Sequence, residues 1–411
     1  LRIIIVGQGG REHALAWRLS REGHTIIGMP GNPGIAAFAR CVPASLADVD
    51  GMVALCVAEK PELVVIGPEA PLAIGLADAL KQSGVTVFGP SQRATRIESS
   101  KAFAKDLMVR RGIPTARFVA AGSLQELDAA LAELGGAVAV KADGLAAGKG
   151  VVVCSTVEEA RAAGRDLLTR GPLILEERLS GPELSVIAIC HEEAAVLLPT
   201  ARDHKRLLDG DCGPNTGGMG TVAPIHVTES AFAEIRETVF APTLKALAEE
   251  GAPFTGALFA GLMLTRGGPR VLEFNARFGD PETQSIVGTL GPDVRLAELL
   301  HDAAIGRLRD GVVRATSAAC TVVVAAKGYP DTPQSGAPIE GIQAAQATGA
   351  EIFHAGTRVV DGRLVTAGGR VLGVMAQGAE LGEARRKALD AARLIRFPGA
   401  QLRSDIGATS V

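Results

Sequence analysis

Val138-Ala139-Val140-Lys141-Ala142-Asp143-Gly144-Leu145-Ala146-Ala147-Gly148-Lys149-Gly150-Val151 reads as a strand, a glycine loop and a second strand. A P-loop requires GxxxxGK[ST] with a helix after it. Here Gly144 to Gly148 is one residue short, Lys149 is followed by Gly150, and an apolar strand comes next. A hairpin loop of small residues can instead fold over a triphosphate with its amides pointing inward. Lys141 ends an apolar strand, so its charge must find a partner. A plain hairpin with surface lysines is the weaker alternative, because two lysines flank a run of small residues.

The second informative stretch is Arg270-Val271-Leu272-Glu273-Phe274-Asn275-Ala276-Arg277-Phe278-Gly279-Asp280-Pro281-Glu282. Side chains alternate between the faces of a strand. If the strand persists, Glu273, Asn275 and Arg277 share one face, and Leu272 and Phe274 turn to the other. Magnesium takes oxygen ligands and commonly uses one or two protein groups plus substrate phosphates. A carboxylate and an amide oxygen meet that requirement. Arg277 beside them can hold a transferring phosphoryl group or the carboxylate it joins.

Upstream, residues 1 to about 90 alternate short apolar runs (3–6, 25–28, 62–66, 85–88) with helical patterns (about 11–22, 45–59, 70–83), the rhythm of a parallel sheet. Gly7-Gln8-Gly9-Gly10-Arg11-Glu12-His13 lies where the first strand turns into a helix. A dinucleotide fingerprint would need a third glycine where Glu12 stands, and an acidic residue after strand two, where the chain reads Ile27-Gly28-Met29-Pro30. A nicotinamide enzyme is therefore disfavoured. The amides of this helix start can hold a smaller phosphate, or the glycines can serve tight packing alone; the sequence leaves both open. Gly67-Pro68-Glu69 follows the third strand, at the edge where open α/β sheets bind ligands.

From Ser99 onward a helix is expected at 99–111, then helices at 123–134 and 156–169, strands at 137–141, 150–154 and 172–177, one long helix at 229–250, and strands at 255–264 and 270–275. Glu176-Glu177-Arg178-Leu179 runs from a strand into a linker that can show backbone groups to an adenine edge, and Glu183 follows. Asp203-His204-Lys205-Arg206 precedes Gly213-Pro214-Asn215-Thr216-Gly217-Gly218-Met219-Gly220, a run expected to be too glycine-rich for helix or strand and read as a binding loop. The last region, from about 312, is β-rich with one helix near 379–394.

Composition limits the rest. A chain of 411 residues, 47% apolar and 21% charged, suits two to four folded domains. A formal net charge of −3 offers no global attraction for nucleic acid. No run approaches the roughly 18 apolar residues of a membrane span, and the N-terminal stretch reads as a strand rather than a signal peptide. The six cysteines are single and unpaired in sequence, which reads as reduced thiols in a cytoplasmic protein. Only 10 of the 42 basic residues are lysine, yet Lys101, Lys105, Lys141, Lys149 and Lys205 all fall in the motif regions. Lysine is not interchangeable with arginine at a phosphate.

Taken together, GGREHALAW (9–17), VIGPEAPL (65–72), SKAF (100–103), KADGLAAGKGV (141–151), DHKR (203–206), GPNTGGMG (213–220), EFNARFGDPETQ (273–284) and FHAGT (353–357) resemble the phosphoribosylamine–glycine ligase family of the ATP-grasp superfamily, in order and over nearly the whole chain. The resemblance implies an α/β and α+β multidomain protein. Its parts would be an N-terminal parallel-sheet α/β domain (1–98), an ATP-grasp domain (99–310, nucleotide-covering subdomain about 114–182) and a small β-rich C-terminal domain (311–411). It implies an ATP-dependent carbon–nitrogen ligase of purine biosynthesis, joining glycine to 5-phosphoribosylamine through glycyl phosphate with release of ADP and phosphate, using Mg2+ or Mn2+. It places Lys101, Lys141, Gly148, Lys149, Glu176, Leu179 and Glu183 on ATP, and Glu273 and Asn275 on the metal. Gly9, Gly10, Glu69, Lys205, Asn215, Gly279 and Asp280 fall on the substrates, and Arg277, Lys141 and Asp203 in catalysis. A cytoplasmic monomer with neither nucleic-acid nor membrane partners is expected. Ala276 and Ala367 depart from the family pattern, as does the short ending after Gly407.

Three rivals are weighed. Another ATP-grasp enzyme, such as a biotin carboxylase, would share the ATP site and differ in the first domain's loops and in 203–220. A nicotinamide oxidoreductase fails on Glu12. A non-catalytic nucleotide sensor would have no need to keep Lys141, Glu273, Asn275 and Arg277 together.

Overall fold

The computed structural model describes residues 1–145 and 150–408. The apolar runs of the first region form a five-stranded parallel sheet in the order Arg40–Cys41, Thr25–Pro30, Arg2–Gly7, Leu63–Ile66, Val87–Phe88. Ile3, Ile4, Ile5 and Val6 are all fully buried, because a parallel sheet is covered on both faces and its strands lose the polar alternation. The helix expected at 70–83 is two, Glu69–Ala73 and Leu76–Gln82. Gly75, at φ +89°, breaks it in a conformation that glycine adopts freely.

A four-stranded antiparallel sheet follows, in the order Phe118–Ala121, Leu173–Glu177, Val138–Ala142, Val151–Val153. Helices Leu124–Leu134 and Val157–Leu168 back it, closing a small separate core of Leu127, Leu131, Val138, Val140, Leu173 and Leu175. This covering sheet packs its own core on one side and shows its other side to the rest of the molecule.

Opposite it lies a five-stranded sheet, Gly268–Asn275, Thr255–Thr265, Glu183–His191, Ala194–Leu197, Gly311–Val312. A third, Arg202–Asp203, Gly220–Ala223, Ala318–Ala325, Arg370–Gly378, Glu351–His354, joins the chain's end to the 202–223 region and carries the helix Leu381–Ala392. Helix Glu282–Thr289 is buried along its whole length, between the first helix, Gly10–Arg21, and this third sheet.

Three further expectations need correction. The helix expected at 99–111 begins afresh at Lys101, where the Ser100 hydroxyl caps Lys101–Arg110 by accepting from the Phe103 amide at 3.2 Å. The glycine run 213–220, expected to be loop throughout, contributes to two strands. Cys212–Asn215 pairs with Arg206–Leu208, and Gly220 opens Gly220–Ala223. The glycine at 220 serves close approach: a methyl group there would sit 2.5 Å from the Thr321 carbonyl oxygen across the sheet. The long helix at 229–250 runs as Glu229–Ile235 and Ala241–Glu249 with a π turn between them.

Candidate active site

The site lies where the covering sheet faces the acidic strand Gly268–Asn275. Its first wall is lysine-rich. Lys101 opens its helix, and the Asp143 carboxylate docks the covering loop onto that helix start by accepting from the Lys101 amide at 2.6 Å and the Ala102 amide at 3.3 Å. The Lys101 ammonium reaches the Gly144 carbonyl at 2.8 Å. Burial lowers its pKa, against the pull of Glu273. Lys141 donates to the Leu272 carbonyl at 2.9 Å and lies 2.7 Å from one oxygen of Glu176. Lys105, four residues after Lys101, lies 2.8 Å from the other oxygen. Gly148 and Lys149 lie outside the described residues. Past Glu177 the chain leaves the sheet as an irregular linker holding Leu179, then re-enters strand Glu183–His191 at the exposed Glu183.

The second wall is acidic. Glu273 and Asn275 both stand on the strand, opposite Gly261 and Phe259. Glu273 keeps about a third of its side chain open, 36%, and its nearest cation is Lys205 at 3.9 Å. Burial opposes its ionisation, but Lys205, Lys141, Lys101 and Arg277 prevail and hold its pKa below the usual range. Arg277 lies beyond the strand's end. Its guanidinium meets Glu69 at 3.2 Å, Glu98 at 3.1 Å and the Asn275 side-chain oxygen at 3.1 Å. Burial raises the Glu98 pKa, Arg277 opposes that, and the Ala276 amide donates to Glu98 at 2.8 Å.

Oxygen donors at Glu273 and Asn275 suit a hard cation. Among the described residues no three His, Cys, Asp or Glu side chains form a cluster that could hold a metal by themselves. A cation here would complete its shell with phosphate oxygens, as magnesium commonly does.

The substrate candidates form two groups. Gly9, Gly10, Gly279 and Asp280 meet where the first helix starts. The Gly9 amide donates to Glu12 at 2.6 Å, and a methyl group on Gly9 would lie 3.5 Å from an Asp280 carboxylate oxygen. Glu12 fills the glycine turn: methyl groups on Gly7 or Gly67 would lie 2.5 and 2.2 Å from its side chain. A side chain thus occupies the space that a third glycine would leave to a dinucleotide. Asp280 also accepts from Gln284 at 2.8 Å, and Arg370, from the third sheet, binds its carbonyl at 2.6 Å. Glu69 joins this region through Arg277. The other group holds Asp203 and Lys205, 3.4 Å apart. Burial raises the Asp203 pKa to about 7, with Lys205 as the main opposing charge. Asn215 donates to the Val151 carbonyl of the covering hairpin at 3.3 Å.

Sequence reading missed Glu98, Glu282 and Arg370. Glu282 is buried and accepts from the Ser185 hydroxyl at 3.1 Å. Glu98 and Arg370 have partners far along the chain, so no local spacing marks them; Glu282 stands inside the quoted 273–284 motif, but its partner Ser185 is as distant. Lys105 was noted as one of the motif lysines, and its four-residue spacing from Lys101 on a helix is the signal that could have placed it.

A covering sheet with lysines, closed over a strand with a carboxylate and an amide, defines the ATP-grasp class of carboxylate–amine ligases. Family models for the N domain, the ATP-grasp (A) domain and the C domain of phosphoribosylglycinamide synthetase match residues 1–98, 99–283 and 319–409. The chain belongs to the phosphoribosylglycinamide synthetase family. The phosphoribosylamine–glycine ligase of Mesorhizobium japonicum is 44% identical over 99% of this chain and 98% of its own. That of Streptomyces coelicolor is 46% identical, with 99% of each chain covered. The crystal structure of the Thermotoga maritima phosphoribosylamine–glycine ligase superposes with a TM-score of 0.86 at 38% identity, covering 99% of this chain and 100% of that one. A biotin carboxylase domain from Hydrogenobacter thermophilus, solved with MgADP, shares the fold alone: TM-score 0.71, 17% identity, 98% and 91% covered.

Removing Arg277 leaves the Glu98 carboxylate buried without its cation. Arg277→Met should therefore lower stability by about 3–5 kcal/mol, and Glu98→Gln in the same chain should recover most of the loss. Urea unfolding midpoints of the two variants check this; equal midpoints would show that the pair is not coupled.

Proposed function

We propose that the chain joins glycine to 5-phosphoribosylamine at the expense of ATP, giving glycinamide ribonucleotide, ADP and phosphate, as a carbon–nitrogen ligase of purine synthesis. The observation that carries this is the pair of facing walls, lysines on the covering sheet and Glu273 with Asn275 on the strand opposite, with Arg277 at the strand's end. A carboxylate is a poor electrophile at neutral pH. Transfer of the terminal phosphoryl group to glycine makes glycyl phosphate, whose leaving group is phosphate. Such a transfer needs charge neutralisation and in-line positioning more than a nucleophilic side chain.

Lys101 and Lys141, with Gly148 and Lys149 of the covering loop, take the phosphates. The backbone at Glu176 and Leu179 takes adenine, and Glu183 takes ribose. A magnesium ion on Glu273 and Asn275 would offset charge on the transferring phosphate oxygens, and we propose that manganese can replace it. Arg277 steadies the acyl phosphate. Gly9, Gly10, Glu69, Gly279 and Asp280 hold the glycine and amine substrates, with Lys205 and Asn215 closing from the other side. Asp203, its carboxyl pushed up by burial to about 7, accepts the proton that the amine loses on attack. The division at 98 and 310 separates an N-terminal unit, the ATP-grasp unit and the C-terminal unit. No helix among the described residues is long and apolar enough to cross a membrane, and all six cysteines are free thiols. These support a cytoplasmic location. A monomer is proposed, to be read as the mass of a single chain in light scattering.

Glycine labelled with heavy oxygen in its carboxylate should pass one label to inorganic phosphate, with ADP as the nucleotide product. Mass spectrometry decides it: AMP, or unlabelled phosphate in a single turnover, would overturn the acyl-phosphate route.

Glu273→Ala should lower turnover by about a hundred-fold or more at any magnesium or manganese concentration, and Asn275→Ala by less, since an amide brings only a dipole to the cation. Metal titrations of activity test this, and an unchanged magnesium dependence in Glu273→Ala would move the metal elsewhere.

The raised Asp203 pKa gives a definite sign. The base form is lost as pH falls through about 7, so kcat/KM should decline below that pH and Asp203→Asn should flatten the limb at a low rate. A limb that survives in Asp203→Asn would assign the proton transfer to another group.

A further inference from the structure

Two lysines share one buried carboxylate at the ATP wall, and only one of them has so far been given work. Glu176 places its two oxygens 2.7 Å from Lys141 and 2.8 Å from Lys105. All three residues are buried, with relative exposures of 2% for Glu176, 6% for Lys141 and 2% for Lys105. Two ammonium groups and one carboxylate leave a single positive charge. Without Lys105 the remaining pair would be neutral. Lys141 lies within electrostatic reach of both Lys101 and Glu273, so the leftover charge belongs to the wall that faces the triphosphate.

Geometry assigns the two lysines different tasks. Lys105 points back into the packing: it donates to the Thr115 hydroxyl at 2.7 Å, which in turn donates to the Val271 carbonyl at 2.7 Å, and it lies 5.9 Å from the Phe118 ring centre. Lys141 stands on the strand that runs into the glycine loop and touches the acidic strand at the Leu272 carbonyl.

We propose that Lys105 is a positioning residue for the nucleotide: by pairing with the second oxygen of Glu176 it offsets part of that carboxylate's charge, so the Lys141–Glu176 pair is not left neutral and positive charge at Lys141 stays available to the phosphates of a nucleoside di- or triphosphate. Burial pulls the Lys105 pKa down to about 8, with Glu176 the largest opposing charge, so the group is still an ammonium at neutral pH. The same contacts bind three parts of the site together: the Lys101–Arg110 helix, the covering sheet and the acidic strand. The inference rests on the nucleotide site proposed above.

The test is calorimetric titration of the full chain with ADP and, separately, with adenosine. Lys105→Gln keeps hydrogen-bonding capacity and removes the charge. It should weaken ADP binding about ten-fold and leave adenosine within about two-fold of wild type. A purely structural role would weaken both ligands alike. Adding Glu176→Gln to Lys105→Gln removes the neutralising carboxylate, and the double variant should regain most of the ADP affinity. Wild-type ADP affinity in Lys105→Gln, equal losses for the two ligands, or a double variant no better than the single would each overturn the role. If the single variant does not fold, the double variant, which buries no unpaired carboxylate, carries the test: ADP affinity near wild type supports the role, while weak binding or failure to fold overturns it. A wild-type protein that does not bind ADP would overturn the nucleotide site itself, which is a separate outcome.

Discussion

A charge taken out of water must be matched inside the protein, and at Arg277 that requirement ties the molecule together. Its guanidinium meets Glu69, just after a strand of the N-terminal sheet, Glu98, at the junction with the next region, and Asn275, on the acidic strand. These residues are far apart in sequence. A largely covered guanidinium without them would be costly by several kcal/mol, which favours the arrangement that brings Glu69 and Glu98 to the end of the acidic strand. Burial works against the Arg277 charge, and the carboxylates of Glu98, Glu69, Glu282 and Asp280 outweigh it, so the guanidinium stays protonated.

The same logic orders the rest of the site. Carboxylates and ammonium groups are interleaved: Asp203 with Lys205, Glu273 among four basic groups, Glu176 between Lys105 and Lys141. A cleft balanced in this way can accept a polyphosphate and a divalent cation together with little change in its own charge. Chemistry that moves a phosphoryl group onto a carboxylate asks for such a cleft and for no nucleophilic side chain.

Among the alternatives, the nicotinamide reading is answered at Glu12. That side chain fills the first glycine turn and accepts from the Gly9 amide, so the space a dinucleotide phosphate would need is held by a carboxylate. The question left open by the sequence, phosphate or packing, is settled in part: Gly7, Gly9 and Gly67 are small because Glu12 lies against them.

Local pattern alone determined much of this protein. Alternation of apolar runs and helices set the parallel N-terminal sheet, and strand–loop–strand around Lys141 ruled out a P-loop. Two-residue periodicity put Glu273 and Asn275 on one face, and the ordered motifs marked the family. These signals are legible because they depend on neighbours in sequence. Other features depended on tertiary structure. Gly220 lies in a strand because it pairs with Val322, and it is glycine because the Thr321 carbonyl comes too close for any side chain; its composition alone reads as loop. Glu98, Glu282 and Arg370 enter the site because distant elements deliver their partners. Lys105 turns inward because Glu176 and Thr115 await it there. A charge shows in a sequence, but what neutralises it is decided only when the chain folds, since desolvation makes the cost depend on partners that no local window contains.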